Sequence, residues 1–289
     1  MKLKLSLLSL LLAGACTTAS EAPPPAQAAE APAAPAATAS SEDARLTAFL
    51  DAAFDAQAEL SPQQLTQLGI KRHYDRLNDY TDAHRQRQLA LEERQLAEMR
   101  AQFSPERLSP AGRLSYRLFE EEVERSRAAF RWRWHGFPAS TNGSPMGQIP
   151  VFLINNHRVD SVADAEAYVA RLREVERVMG EISANMRHQA ELGIVPPRFN
   201  FAPVRADGRR ILQGAPFTES GDGRAQNNVI FPDFFAKVAR LQIADAEKTR
   251  LIAAAGGALT GPVRRGYETM LATLVAIEPR ARGNEGAWS

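Results

Sequence analysis

The sequence predicts an all-α protein, mainly helical, with one short irregular or β segment near residues 130–157. Apolar residues recur at steps of three and four in several stretches, and a serine or a Ser-Pro pair precedes most of them. The sequence lacks the alternation of strands and helices that a Rossmann-type sheet requires. The clearest apolar stripe is formed by Tyr168, Leu172, Val175, Met179, Ile182 and Met186.

The first half of the chain contains four predicted helices. Ser41 is predicted to cap a first helix, and Ser61 a short second one that has Pro62 at its first position. Two long helices follow, over residues 81–103 and from Ser109 to Phe130, because strong helix formers dominate both stretches.

The second half of the chain contains at least three further predicted helices. A long one follows Ser161 and ends at Gly193. Residues 200–228 are predicted to be loop-like, with a flexible centre, and helices resume at about 232–251 and 262–277. The sequence contains no internal repeat.

The irregular segment holds the candidate cleft-lining residues. Trp132 and Trp134 alternate with arginines, so they could stack on bases or peptide side chains, although an amphipathic strand explains the pattern better. Asn155, Asn156 and His157 follow the apolar run "VFLI". They could line a cleft, but capping of the loop before the next helix is the favoured interpretation.

The N-terminus resembles a bacterial export signal. Two lysines precede the apolar run "LSLLSLLLAGAC", which ends at Cys16, the single cysteine of the chain. The pattern resembles a lipobox that would make Cys16 a lipid anchor to the membrane. Ala13 stands where such motifs usually carry leucine, which leaves ordinary cleavage after Ala15, or a retained N-terminal anchor, as alternatives. Thr17 is typical of lipoproteins sent to the outer membrane.

These features divide the chain into three parts. Residues 1–16 are predicted to be a lipoprotein signal peptide, and residues 17–40 a disordered Ala/Pro-rich tether. Residues 41–289 are predicted to form the helical domain. The expected location is the cell envelope, at the outer membrane and facing the periplasm. A net charge of +1 gives no electrostatic reason to expect a nucleic acid as partner.

The sequence contains no recognisable catalytic motif. None of the five histidines is placed one helical turn from another, as a zinc peptidase needs, and neither a GxSxG elbow nor a phosphate loop is present. His73, Asp75, Asp79, Asp82 and His84 form a polar cluster that could hold a metal, but its spacing matches no known geometry and ordinary solvation is favoured. We therefore predict no catalytic residue, metal ligand or cofactor in this chain.

Two longer stretches carry a family resemblance. At "GSPMGQIPVFLINNHRVDSVADAEAYVARLREVERVMG" and "HQAELGIVPPRF" the sequence resembles a large bacterial family known as domain of unknown function 885. The resemblance runs from about Ser41 to the end of the chain. It implies a helical, exported protein related to zinc metallopeptidases, whose zinc motif, a His-Glu segment followed by Pro-Gly-His, lies in a C-terminal half.

The resemblance also implies that this chain is one part of a larger helical, metallopeptidase-like fold. The family pattern continues beyond a Gly-x-Trp like Gly286-Ala287-Trp288, so Ser289 is expected to be a truncation point. Zinc and a peptide substrate are then expected only in a full-length form. The alternative is a complete, non-enzymatic helical lipoprotein of the envelope that serves as a binding or scaffold module.

Overall fold

The computed structural model describes residues 34–217 and 228–283, with side chains from residue 41 onward. Helices make up 74% of these residues and none of them forms a β-sheet, which confirms the all-α prediction. The predicted signal peptide, Cys16, most of the tether, the centre of the 200–228 loop and the Gly286-Ala287-Trp288 motif lie outside the described residues.

Ten α-helices follow one another in the described parts of the chain. They are α1 (Ala34–Ala58), α2 (Pro62–Gln67), α3 (Asp82–Gln102), α4 (Pro110–Phe130), α5 (Pro145–Asn156), α6 (Val162–Glu191), α7 (Phe201–Ile211), α8 (Ile230–Ala239), α9 (Asp245–Ala258) and α10 (Arg264–Ile277). A π-helical turn, Leu259–Val263, joins α9 to α10. No described helix combines the length and the apolarity needed to cross a membrane.

Serine precedes several helices at the predicted positions, and two of these serines cap the helix that follows. The hydroxyl of Ser109 accepts a hydrogen bond from the amide of Gly112, and that of Ser161 accepts from Asp164. Ser61 precedes α2, although its side chain makes no capping bond. Ser41 does not begin the first helix as predicted. Helix α1 already starts at Ala34, inside the stretch predicted as tether, because its alanines favour helix strongly.

The segment near residues 130–157 is irregular only in its first half. No strand forms at Trp132 and Trp134, because α4 continues to Phe130 and tight turns follow. The second half is helix α5, which has Pro145 in its first turn and Pro150 in its interior. Residues 201–211, predicted as loop, form α7, and residues 232–251 form two helices, α8 and α9, instead of one.

The interior proline of α5 is compensated by a side chain from α10. Pro150 has no N–H to donate to the carbonyl of Met146, four residues before it. The buried hydroxyl of Tyr267 donates to that carbonyl instead, at 2.6 Å. The hydrogen bond both satisfies the orphaned carbonyl and ties α5 to α10.

Two hydrophobic clusters hold the helices together. The smaller one lies between α1, α3 and α4, with Leu46, Met99 and Tyr116 among its members. The larger one surrounds α6, where Tyr168, Leu172 and Met179 are fully buried. The apolar stripe predicted for this helix is therefore the centre of the main core.

Helix α10 lies directly on α6. A Cβ atom at Gly266 would come within 3.0 Å of the Cα of Glu176 and the carbonyl oxygen of Val175, so only glycine permits this approach. Beside it, the guanidinium of Arg265 binds both carboxylate oxygens of Glu176 at 2.7 and 2.8 Å. The close contact fixes α10 along one face of α6.

Candidate functional site: a charged cleft beside α6

An open cleft of about 630 Å³ lies between α6 and the segment that leads from α1 to α3. Its volume falls within the range of about 300–1,000 Å³ that is typical of ligand sites. Most of its lining is charged. The carboxylates are Glu59, Asp75, Asp79, Glu174 and Glu181, the guanidiniums are Arg76, Arg173 and Arg177, and the imidazoles are His73 and His84.

The polar cluster seen in the sequence forms one wall of this cleft. His73, Asp75, Asp79 and His84 all line it, whereas Asp82 does not. Asp82 pairs with Arg133 at 2.7 Å. Among the residues that the structure describes, no three His, Cys, Asp or Glu side chains are placed to hold a metal ion. The described residues of this wall therefore form a charged surface that holds no such group of three ligands.

Ion pairs fix part of the cleft. Arg177 pairs with Glu174 at 2.5 Å and with Glu181 at 2.8 Å. Glu181 also accepts a hydrogen bond from the backbone amide of Tyr80 at 2.9 Å. These contacts attach the irregular segment before α3 to α6, so the two walls of the cleft hold a fixed separation.

Two titratable groups of the wall have shifted pKa values. Burial lowers the pKa of His84, and attraction to Asp79, 3.8 Å away, only partly offsets this. Burial acts in the opposite direction on Asp79, but hydrogen bonds from Thr81 and attraction to His84 and Arg87 hold its pKa below the usual value. Asp79 therefore stays ionised and His84 tends to stay neutral near pH 7.

Three charged side chains of the cleft are free to meet a ligand. Asp75, Arg76 and Arg173 are exposed, and within the described parts of the chain their side chains make no hydrogen bond or ion pair. The cleft therefore presents unpaired charges of both signs. Such a surface can bind a ligand that also carries both signs, as peptides commonly do.

Arg171 lies buried behind the cleft and joins its two walls. This fully buried guanidinium donates to the carbonyl of Arg76 at 2.9 Å, to the hydroxyl of Thr66 at 2.5 Å and to Nδ1 of His157 at 2.9 Å. Its face also lies 4.9 Å from the ring centre of Tyr74. The network holds α2, the cleft segment and the end of α5 against α6.

His157, a predicted candidate for lining a cleft, belongs to this buried network. It is 1% exposed, and its Nε2 lies 2.9 Å from the carbonyl oxygen of Asp164. Burial, followed by repulsion from Arg171, lowers the pKa of His157 to about 3. His157 is the C-cap of α5, the role that the sequence favours, and it does not line the charged cleft.

The other predicted residues lie at separate places. Trp132 is 54% exposed and contacts His135, while Trp134 contacts His188 and lies under Arg85. Asn155 is exposed at the end of α5, and Asn156 is partly buried. None of these four residues lines the charged cleft.

Sequence reasoning missed the half of the cleft that α6 contributes. Arg173, Glu174, Arg177 and Glu181 recur at helical steps on the polar side of the predicted stripe, so this face was recognisable in principle. Arg171 gave no such signal, because it falls one residue from the apolar stripe and is buried only by tertiary contacts.

Fold and site together define an all-α domain with a charged surface cleft and no metal-binding group among its described residues. The chain belongs to the family described as "Bacterial protein of unknown function (DUF885)", whose pattern matches residues 62–287. The resemblance noted in the sequence is thereby confirmed at the level of the family.

A solved structure has the same fold. It is described as "the putative lipoprotein from Colwellia psychrerythraea" and superposes with a TM-score of 0.68 at 14% sequence identity. The match covers 86% of this chain and 43% of that protein, so this chain spans less than half of its length. A comparison with curated proteins finds no match.

Proposed function

We propose that this chain is the N-terminal helical part of an exported, lipid-anchored zinc-dependent hydrolase that acts on peptides. In this proposal the charged cleft forms part of the wall that binds the substrate. The observation that carries it is the cleft, in which Asp75, Arg76 and Arg173 remain unpaired beside a fixed frame of ion pairs. A peptide offers amino, carboxylate and amide groups that match this set.

Two further findings support an exported part of a larger protein. The N-terminal run ends at Cys16 in a lipobox-like pattern, and the structural neighbour is described as a "putative lipoprotein". That neighbour has more than twice the length that matches this chain. Both findings agree with attachment to the cell envelope through Cys16 and with catalytic residues in another part of the protein.

Zinc is not assigned to the residues of this chain. A catalytic zinc site uses three protein ligands, and no group of three suitable side chains occurs among the described residues. His84 and Asp79 of the cleft lie 3.8 Å apart and interact with each other. The contribution of the cleft in this proposal is to bind and orient the substrate, because correct positioning alone accounts for a large share of catalysis.

The direct test is the coding DNA beyond codon 289 in the source genome. An open frame that encodes a His-Glu segment followed by Pro-Gly-His supports the proposal. A stop codon contradicts it and favours the second candidate, a non-enzymatic helical lipoprotein of the envelope. Purified residues 17–289 should contain no stoichiometric zinc by mass spectrometry, and bound zinc together with peptide cleavage would also contradict the proposal.

A further inference from the structure

A second, smaller cavity lies beside the charged cleft. Its volume is about 250 Å³. Residues adjacent in the sequence line different cavities. Asp79 and His84 line the cleft, whereas Tyr80 and Arg85, which directly follow them, line the smaller pocket. The pocket is below the size of about 300 Å³ at which drug-sized ligand sites begin, so it suits a group about as large as one amino-acid residue.

The floor of this pocket is apolar. Ile149 of α5 and Ile182 of α6 are 3% and 4% exposed, and Pro138 and Pro145 complete the apolar lining. Main-core helices supply both isoleucines, so the floor is rigid. A branched or aromatic side chain that enters the pocket would be removed from water against this surface, which is favourable.

Arg85, at the rim of the pocket, makes no ion pair with the described residues. It is partly buried, yet none of their carboxylates lies within ion-pair distance of it. Asp82, the acidic residue nearest in sequence, pairs with Arg133 and attracts Arg85 only from beyond ion-pair distance. The side chain of Arg85 makes a single hydrogen bond to the described residues, a long one of 3.5 Å to the carbonyl of Arg133.

The position of Arg85 is nevertheless fixed. Its guanidinium lies 5.3 Å from the ring centre of Trp134, which holds it by a cation–π contact. A partly desolvated guanidinium without an ion-pair partner gains strongly from a bound anion, and a carboxylate matches its planar fork.

Two amides of the pocket supply complementary polar groups. The Oε1 of Gln63 accepts from the amide of Asn78 and the hydroxyl of Tyr80, which leaves its Nε2 to donate. The Nδ2 of Asn185 donates to the carbonyl of Tyr80 at 2.7 Å. Its Oδ1 accepts no hydrogen bond from the described residues, so it is available for an N–H group.

We propose that this pocket binds the C-terminal residue of a peptide that ends in an apolar side chain. The terminal carboxylate meets Arg85 and the Nε2 of Gln63, the last backbone N–H donates to Asn185, and the side chain packs on Ile149 and Ile182. The inference does not rest on the proposed hydrolase, because this binding needs neither zinc nor turnover.

Isothermal titration of the full chain with two matched peptides tests the proposal. The first is the N-acetylated tripeptide Ala-Ala-Leu with a free carboxylate, and the second is the same peptide with a C-terminal amide. The acid should bind at least about tenfold more tightly than the amide, because only the acid forms the charge-assisted bond with Arg85. Equal binding of acid and amide, or no binding of the acid, would overturn the proposal.

Variants of two arginines on α3 locate the effect. The change Arg85→Gln should abolish the preference for the acid, and Arg85→Lys should retain part of it. The control is Arg87→Gln, on the same helix, since Arg87 is exposed and pairs with Asp79 outside the pocket. A preference for the acid that survives in Arg85→Gln, or that is lost equally in Arg87→Gln, contradicts the proposal. Circular dichroism confirms that each variant is folded.

Discussion

At the scale of single residues, the contact between Arg171 and His157 has only one consistent protonation pattern. An arginine side chain has no acceptor and a carbonyl has no donor. Nδ1 of His157 must therefore accept from Arg171, and Nε2 must carry the proton that it donates to Asp164. A neutral imidazole is thus built into the end of α5, in agreement with the lowered pKa of His157.

Truncation of Arg171 should destabilise the protein. In Arg171→Ala, a buried carbonyl, a hydroxyl and an imidazole nitrogen lose their donor, and a cavity remains. We expect the free energy of unfolding to fall by about 2–4 kcal/mol. Arg173→Ala is the control, because Arg173 lies on the same helix, is exposed and makes no ion pair with the described residues; its effect should stay within about 0.5 kcal/mol. Chemical denaturation measures both, and equal effects would contradict the assignment.

The free energy of unfolding should decrease as the pH is lowered, because of His157. The pKa of His157 is about 3 in the folded protein, against an ordinary value of 6.5. The unfolded chain therefore binds a proton that the folded chain rejects, and the contribution of His157, complete above pH 6.5, is lost as the pH falls from 6.5 towards 3. The free energy of unfolding of His157→Asn should depend less on pH over this range. The variant should take up as much as one proton fewer on unfolding than the natural protein does. Parallel curves for the two proteins would contradict this assignment.

The candidate site residues could be predicted from the sequence only in part. For Asn155, Asn156 and His157 the sequence favours a capping role over a place in a cleft, and only tertiary burial separates His157 from its two neighbours. The sequence shows the charged side chains between residues 73 and 84 as a cluster, but it does not show the opposite wall of the cleft. Contacts between residues about a hundred positions apart leave no pattern in a single sequence.

At the scale of secondary-structure elements, periodicity was reliable where one face of a helix is buried along its whole length. Helix α6 has a continuous apolar stripe and was predicted correctly. Helix α5 was missed because Pro150 interrupts it, and its missing hydrogen bond is replaced by Tyr267, which is more than a hundred residues away. Helix α7 was missed because glycine and proline lie within its short span.

The contact between α6 and α10 depends on the absence of a side chain at one position. The change Gly266→Ala should lower the free energy of unfolding by about 1–2 kcal/mol, since the new methyl group would press on the backbone of α6 at 3.0 Å. Gly180→Ala is the matched control, because the methyl group added there would meet no atom within 4 Å; it should stabilise α6 by about 0.5–1 kcal/mol. Thermal denaturation measures both changes, and a stabilised Gly266→Ala would contradict the close packing.

At the scale of the whole molecule, the charged cleft lies where the chain passes between two hydrophobic cores. The residues before α3 leave the smaller cluster of α1, α3 and α4 and cross α6, the centre of the larger one. Arg171 and Arg177 of α6 fix that crossing by hydrogen bonds to the backbone carbonyls of Arg76 and Leu77. The fold class and the family could be predicted from the sequence, but the cleft could not, because it arises from this crossing.

We expect the charged cleft to bind peptides in the absence of a metal ion. The measurement is fluorescence anisotropy in EDTA with a labelled hexapeptide that has blocked ends, one lysine and one glutamate. Blocked ends remove the terminal carboxylate that the pocket at Arg85 is proposed to bind. The peptide should bind saturably, and Arg173→Glu should weaken binding by about tenfold or more, since the change reverses an unpaired charge of the cleft. Binding that EDTA abolishes, or that Arg173→Glu leaves unchanged, would contradict it.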